Sequence, residues 1–346
     1  MDKTPSARRG ERNLITDVPG LAVGQAEDRA ARTGVTVILP DERAVCAVDV
    51  RGGGPGTRET DALAPDTLVD AVDAVVLSGG SVYGLAAADG VAAWLGAQGR
   101  GFALAAAPRA PPSPVVPAAI LYDLANSGNK AWGLEPPYRG LGLAAVQSAA
   151  ADFQLGSAGA GYGAMAGGLK GGTGSASVVS ADGIVVGAVV AVNSFGSVTA
   201  GDGRTFWAAP YELDGEFGGL GSAGLSARPD AWGLAKAAPA PRANTTIACV
   251  ATDVALTPAQ ARRVAVMAQD GLARAVRPAH APFDGDVVFA LSTARRPLSG
   301  VRGDAAFAVA RIGALAADVL ARAIARAVYE ATPWPDASVR CWRDPA

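Results

Sequence analysis

Histidine is all but missing from this chain: His280 is the only one in 346 residues. A zinc site built on clustered histidines is thereby excluded, and a Ser-His-Asp triad would have to use His280. Cysteine is almost as scarce. Cys46, Cys249 and Cys341 are widely spaced, make no CxxC pair and offer no disulfide framework. Cys46 and Cys249 lie inside apolar runs and read as buried free thiols. Charged residues are few, 18% of the chain, and the net charge is −2. No broad basic surface is expected, which disfavours nucleic acid as a partner. Long uninterrupted apolar runs are also missing. The alanine-rich segments are broken by Gly, Arg or Asp, so no membrane partner is expected. Residues 1–13 are polar and read as a loose leader without the apolar stretch of a signal peptide, and cytoplasmic localisation is the expectation.

What the chain has in quantity is apolar residues and glycine. Hydrophobic residues make up 50%, and glycines number 44, enough for a large core with many turns. The glycines follow no period and cluster between apolar runs, which suggests tight turns and close backbone approach. Strands are expected at 21–24, 35–39, 44–50, 74–77, 118–122, 183–192, 245–250 and 287–292. Helices are expected at 81–98, with Ser81 as a cap, and at 140–151, 258–275 and 304–331. Thr257, Pro258 and Gln260 form the start signal of the third. On the last, Phe307, Ile312, Leu315, Val319, Leu320 and Ile324 form an apolar face, and Arg311, Arg322 and Arg326 fall on the surface. With no internal repeat and no clear linker, the fold class is α/β or α+β, in a single domain over 1–346.

Several polar groups stand out from this background. The glycine loop at 51–60 lacks the GKS/T ending of a phosphate loop and is not read as a nucleotide cradle. Gly159, Gly161 and Ala164 satisfy GxGxxA, and Asp182 follows at the distance of a ribose-binding acid. No convincing strand precedes Gly159, however, and glycines continue through the would-be helix. Lys170 is an isolated cation in about thirty uncharged residues, and composition alone reads it as a surface lysine. Tyr83, in a first helical turn after a strand, is either a core tyrosine or a site residue. Asn193 ends an apolar run as a turn former or an aimed amide donor. Asp284 and Asp286 read by default as a turn, with a metal site or an orienting network as alternatives. Residues 197–243 have no periodicity, as in a functional or mobile loop. That segment ends at Asn244, and two threonines and an apolar run follow.

At Asn244-Thr245-Thr246-Ile247 the chain resembles the L-aminopeptidase/D-esterase (DmpA-type) family. That family includes β-aminopeptidases and the nylon hydrolases that act on 6-aminohexanoate oligomers. The resemblance runs through an ordered set of motifs: DVRGGGPGTRET at 49–60, LSGGSVYGL at 77–85, VPAAILYDL at 116–124, GAGYG at 159–163, VNSFG at 192–196, and Asp284 with Asp286. It implies a four-layer αββα sandwich like that of N-terminal-nucleophile hydrolases and ornithine acetyltransferases. It implies autocatalytic cleavage into chains 1–244 and 245–346, and homo-oligomers, often tetramers of such heterodimers. It also implies that Thr245 is the nucleophile, Asn193 an active-site asparagine and Tyr83 a neighbour of the oxyanion. Asp284 and Asp286 would hydrogen-bond near the nucleophile, and Lys170 would be the active-site lysine. No cofactor is implied.

The chemistry agrees with those roles. A threonine hydroxyl is a weak nucleophile without a base. An amino-terminal amine supplies one, since its ordinary pKa is about 7.7–8.0. Cleavage before Thr245 therefore creates nucleophile and base together. Lys170 would lower the amine's pKa by like charge, while the aspartates orient lysine and nucleophile. The Asn193 amide and Tyr83 hydroxyl suit an oxyanion hole. The expected substrate is a short peptide or oligoamide with a free amino end. The alternatives are an acyltransferase of the ornithine-acetyltransferase type and a dinucleotide-binding protein.

Overall fold

Successive residues of a strand point to opposite faces, so a run that is apolar at every position must be covered on both sides. The run after Thr245 shows this directly. Ile247 and Cys249 pack into one core with Val75 and Leu77, while Ala248 and Val250 pack into another with Val264, Ile312 and Leu320. The computed structural model describes residues 7–345 apart from Gly224, Asp230 and 238–243.

The strands are β1 (Arg8–Arg9), β2 (Leu21–Asp28), β3 (Thr33–Pro40), β4 (Val45–Val50), β5 (Thr57–Arg58), β6 (Val75–Ser78), β7 (Ala118–Ile120), β8 (Met165–Ala166), β9 (Leu169–Lys170), β10 (Gly172–Val179), β11 (Val185–Asn193), β12 (Thr245–Val254) and β13 (Val287–Arg296). The helices are α1 (Ala87–Ala97), α2 (Tyr138–Gln147), α3 (Pro258–Ala275) and α4 (Ala305–Tyr329). A six-stranded sheet runs in the order β1-β10-β11-β12-β13-β4, and a five-stranded sheet in the order β2-β3-β6-β7-β5. Three apolar cores separate four layers. Helices α3 and α4 cover the outer face of the first sheet, the two sheets share the middle core, and α1 and α2 cover the second sheet through Val91, Leu95 and Val146. This is the expected αββα sandwich. Among the described residues no helix is long and apolar enough to cross a membrane.

Thr257 caps α3 as expected: its hydroxyl accepts from Gln260 N, and Gln260 reciprocates on Thr257 N at 2.9 Å. Elsewhere the structure corrects the sequence reading. Ser81 does not cap a helix. Gly80, at φ 85, precedes a 3-10 turn over Ser81–Ala86, and the α-helix begins only at Ala87. The turn is held by Asp123, whose carboxylate accepts from Gly80 N at 2.8 Å. Strand β10 was not expected, because glycine and serine disguise it. Glycine is needed there, since a Cβ on Gly172 would lie 2.5 Å from Ala327 O of α4.

Arg322 is not a surface residue either. It is buried and pairs with Glu216 at 2.5 Å, and it also donates to Asn13 Oδ1 at 2.9 Å. The end of the expected loose leader is thus fixed in place, and Arg8–Arg9 pair with the edge of β10. Residues 1–6 of that leader, and Arg242 and Ala243 before the junction, lie outside the described residues. The GxGxxA match does not form a dinucleotide fold. Gly159–Gly161 is a short 3-10 turn, no helix follows it, and a Cβ on Gly161 would collide with the backbone of Gly172. Asp182 is a partner of Arg311, with both oxygens engaged at 2.8 Å, and that guanidinium holds its carboxyl well below the usual range.

Candidate active site

The topology of the six-stranded sheet gathers the polar motifs at one edge. Strands β12 and β13 are parallel, so both begin there. Strands β11 and β4 run antiparallel to them, so both end there. Asn193, the last residue of β11, is therefore paired in register with Thr245, the first of β12. Asn244 bridges to Asp284, just ahead of β13. The glycine loop after β4 closes over the same place. Gly54 N donates to Asp284 O at 2.7 Å and Arg51 N to Asp286 O at 3.0 Å. A Cβ on Gly52 would strike the Asp286 and Asp284 backbone. These glycines serve backbone contact rather than phosphate binding.

Thr245 is buried, at 2% exposure, and its hydroxyl donates to the carbonyl oxygen of Asn244. Gly285 N donates to that same carbonyl at 3.0 Å. The bond that would be cut therefore already has a backbone donor on its oxygen. A Cβ on Gly285 would lie 2.7 Å from the Thr245 hydroxyl, so only glycine fits here. Thr245 lines a cavity of about 300 Å³ together with residues 54–57 of the glycine loop, Ser81 and Val82. A hollow of about 430 Å³ beside Arg262 is larger, but it holds none of these groups.

Both aspartates are buried and act as hydrogen-bond acceptors. Asp286 Oδ1 accepts from Thr246 N at 2.8 Å, which fixes the backbone next to Thr245. Its Oδ2 accepts from His280 N at 3.0 Å and faces His280 Nδ1 at 2.9 Å. Asp284 accepts from Phe195 N at 3.3 Å and Ala281 N at 3.1 Å. Burial, and then the negative charge of Asp286, push its carboxyl up to about 7. The side chain of Asn193 is engaged in a network. Its Oδ1 accepts from Met165 N at 2.9 Å and Asn126 Nδ2 at 3.1 Å, and its Nδ2 donates to Tyr122 O at 2.9 Å.

Lys170 is fully buried rather than on the surface. Its ammonium donates to the carbonyls of Gly171 at 2.7 Å, Ala164 at 3.1 Å and Gly161 at 3.3 Å, and burial pushes it down to about 7. It is linked to Asn193 through the Ala164–Met165 peptide, whose oxygen accepts from Lys170 Nζ and whose nitrogen donates to Asn193 Oδ1. Tyr83 is 47% exposed, with its ring edge-on to Trp132 at 5.8 Å. Its neighbours Ser81 and Val82 line the cavity. The structure thus brings Thr245, Asn193, Asp284 and Asp286 together at one sheet edge, while the contacts described for Lys170 and Tyr83 are with other residues.

Two groups at this edge escaped the sequence reading. Gly285 could have been noticed as the residue between the two flagged aspartates. Lys236 carries no such signal. Its ammonium donates to Asn244 Oδ1 at 2.8 Å, and burial, opposed by the charge of Asp284, lowers it to about 8.

The family model described as "Peptidase family S58" matches residues 13–340. An "uncharacterized aminopeptidase" of Mycobacterium tuberculosis is 44% identical over 344 residues, covering 93% of this chain and 95% of its own length. A 6-aminohexanoate-oligomer endohydrolase of a Kocuria strain is 28% identical, covering 94% and 89%. Two solved structures share the fold at 23% identity. One is a β-aminopeptidase of a Burkholderia strain, with TM-score 0.68 and coverage of 95% and 90%. The other is an L-aminopeptidase D-Ala-esterase/amidase of Ochrobactrum anthropi, described as a variant of the Ntn hydrolase fold, with TM-score 0.65 and coverage of 94% and 90%. On the extent of the family match and of the 44% identity, the chain belongs to peptidase family S58 and is a hydrolase of amide bonds.

Proposed function

We propose that the chain cuts itself between Asn244 and Thr245, and that the amino-terminal Thr245 so produced hydrolyses short peptides or oligoamides with a free amino end. The observation that carries this reading is the paired approach to one carbonyl: the Thr245 hydroxyl and Gly285 N both contact Asn244 O. In self-cleavage, Thr245 Oγ1 attacks the Asn244 carbonyl carbon and Gly285 N supports the developing oxyanion. The carbon–nitrogen bond breaks, Thr245 N takes up the hydroxyl proton, and Asn244 is left as an ester on Oγ1. Water opens the ester, leaving an Asn244 carboxylate and a free Thr245 with both hydroxyl and amine.

In turnover the amine takes the hydroxyl proton as Oγ1 attacks the substrate carbonyl, then passes it to the leaving amine. Water hydrolyses the acyl ester and releases the acid. Asp286 positions the nucleophile through Thr246 N. The aminopeptidase relative at 44% identity supports peptides as substrates, and the endohydrolase relative supports 6-aminohexanoate oligomers as a second substrate type. Peptide p-nitroanilides assayed beside 6-aminohexanoate oligomers test both. Turnover of either by wild type and of neither by Thr245→Ala is expected, and turnover by the variant would contradict the reading. Light scattering on the cleaved protein tests assembly into tetramers of heterodimers.

A further inference from the structure

Asn244 is the first acyl group that Thr245 attacks, so its side chain marks where the acyl side of a later substrate lies. That side chain is fully buried. Its carbonyl oxygen is held by Lys236 Nζ at 2.8 Å, and its amide nitrogen has no partner among the described residues. Lys236 does not depend on the 244–245 bond for its place. Its own N donates to Phe195 O at 3.0 Å, and Leu234 O accepts from Gly168 N at 2.6 Å. Phe195 is in turn wedged edge-on against Phe283 at 4.6 Å and Trp232 at 6.1 Å. Should Asn244 withdraw after cleavage while these contacts hold, the lysine is left facing the volume that the asparagine side chain fills in the uncut chain.

We infer that Lys236 is the acyl-side specificity residue of this enzyme, and that it selects acyl groups with a carboxamide or carboxylate group attached to the β-carbon, namely asparaginyl and aspartyl amides. This rests on Thr245 forming the acyl ester. An acyl group with an apolar side chain takes away the ammonium's hydrogen-bond acceptor and leaves only the charge of Asp284 to oppose its burial, a loss that sites built to hydrogen-bond their substrates do not tolerate. A matching acceptor gains a charge-assisted hydrogen bond instead.

Self-cleavage and turnover test this separately. Intact-mass time courses are run on wild type, Asn244→Asp, Asn244→Leu, Lys236→Met, and the Asn244→Leu/Lys236→Met double variant. Asn244→Asp should cleave within about threefold of wild type and Asn244→Leu about tenfold slower. Lys236→Met should be as slow as Asn244→Leu, and the double variant no slower than either. On L-aminoacyl p-nitroanilides, cleaved wild type should show kcat/KM for asparaginyl and aspartyl about tenfold above alanyl and leucyl. That ratio should fall to about one in Lys236→Met and be kept in Lys236→Arg, the variant that preserves the charge. Equal cleavage of wild type and Asn244→Leu, or a ratio unchanged by Lys236→Met, overturns the inference. A wild-type chain that never splits removes the Thr245 reading and this inference with it. A chain that splits and turns over alanyl and aspartyl anilides alike removes the inference alone.

Discussion

Thr245 has no amine while it is joined to Asn244, and the single histidine does not stand in for one. The Thr245 hydroxyl donates to the Asn244 carbonyl, whereas the His280 ring faces Asp286. His280 therefore helps to hold Asp286. His280→Gln should keep self-cleavage within about tenfold of wild type by intact mass, where loss of a triad base would cost about 10⁶. Asp284 gives a pH signature. Its folded pKa of about 7 lies above the value of about 3.9 it would have unfolded. Between about pH 4 and pH 7 the folded state holds the extra proton, so this group's contribution to stability falls as pH rises and levels off above pH 7. Thermal melts of uncleaved Thr245→Ala should show that decline, and adding Asp284→Asn should flatten it. Thr245, Asn193, Asp284 and Asp286 were singled out through the family resemblance, and the structure shows them at or just ahead of strand ends on one edge of the sheet. Gly285 and Lys236 were not legible, because one acts through a backbone N–H that every residue has, and the other is a lone cation without a pattern.

At the scale of elements, legibility followed local signals. Helix α3 was readable because its capping box is written into Thr257-Pro258-Ala259-Gln260. Thr257→Ala should cost about 1 kcal/mol in denaturant unfolding. Strand β10 was not readable, because its glycines answer to the close approach of α4 and its Ser175 and Ser177 to hydrogen bonds with Ile15 N and Asp17, rather than to strand propensity. The glycine loop at 51–60 was recognised as a motif, but its purpose needed coordinates. Gly52→Ala would drive a Cβ into the Asp284 and Asp286 backbone. It should slow self-cleavage by about tenfold or more, because small displacements of a positioned group carry costs of that size. A time course by intact mass checks this, with circular dichroism confirming that the variant is folded.

Over the whole molecule, the proposed cut divides the sheet without opening it. Strands β12 and β13 of the carboxyl piece lie between β11 and β4 of the amino piece. The buried pair Glu216–Arg322 ties the irregular segment of the amino piece to α4 of the other. The two pieces should elute together and unfold in one transition. Arg322→Met leaves buried Glu216 with only the more distant Arg326, at 3.9 Å, as a cation and should cost about 3 kcal/mol, with faster proteolysis within 197–237. The four-layer plan itself came from the family resemblance. The unbroken apolar runs indicate strands covered on both faces, but not which layer covers which.

The most direct test of the central claim is intact-mass analysis of purified wild type beside Thr245→Ala under denaturing conditions. The expected result is wild type split into 1–244 and 245–346, with Thr245→Ala whole and inactive. A Thr245→Ala chain that still splits at that bond, or an intact wild-type chain with full amide-hydrolase activity, would contradict the account.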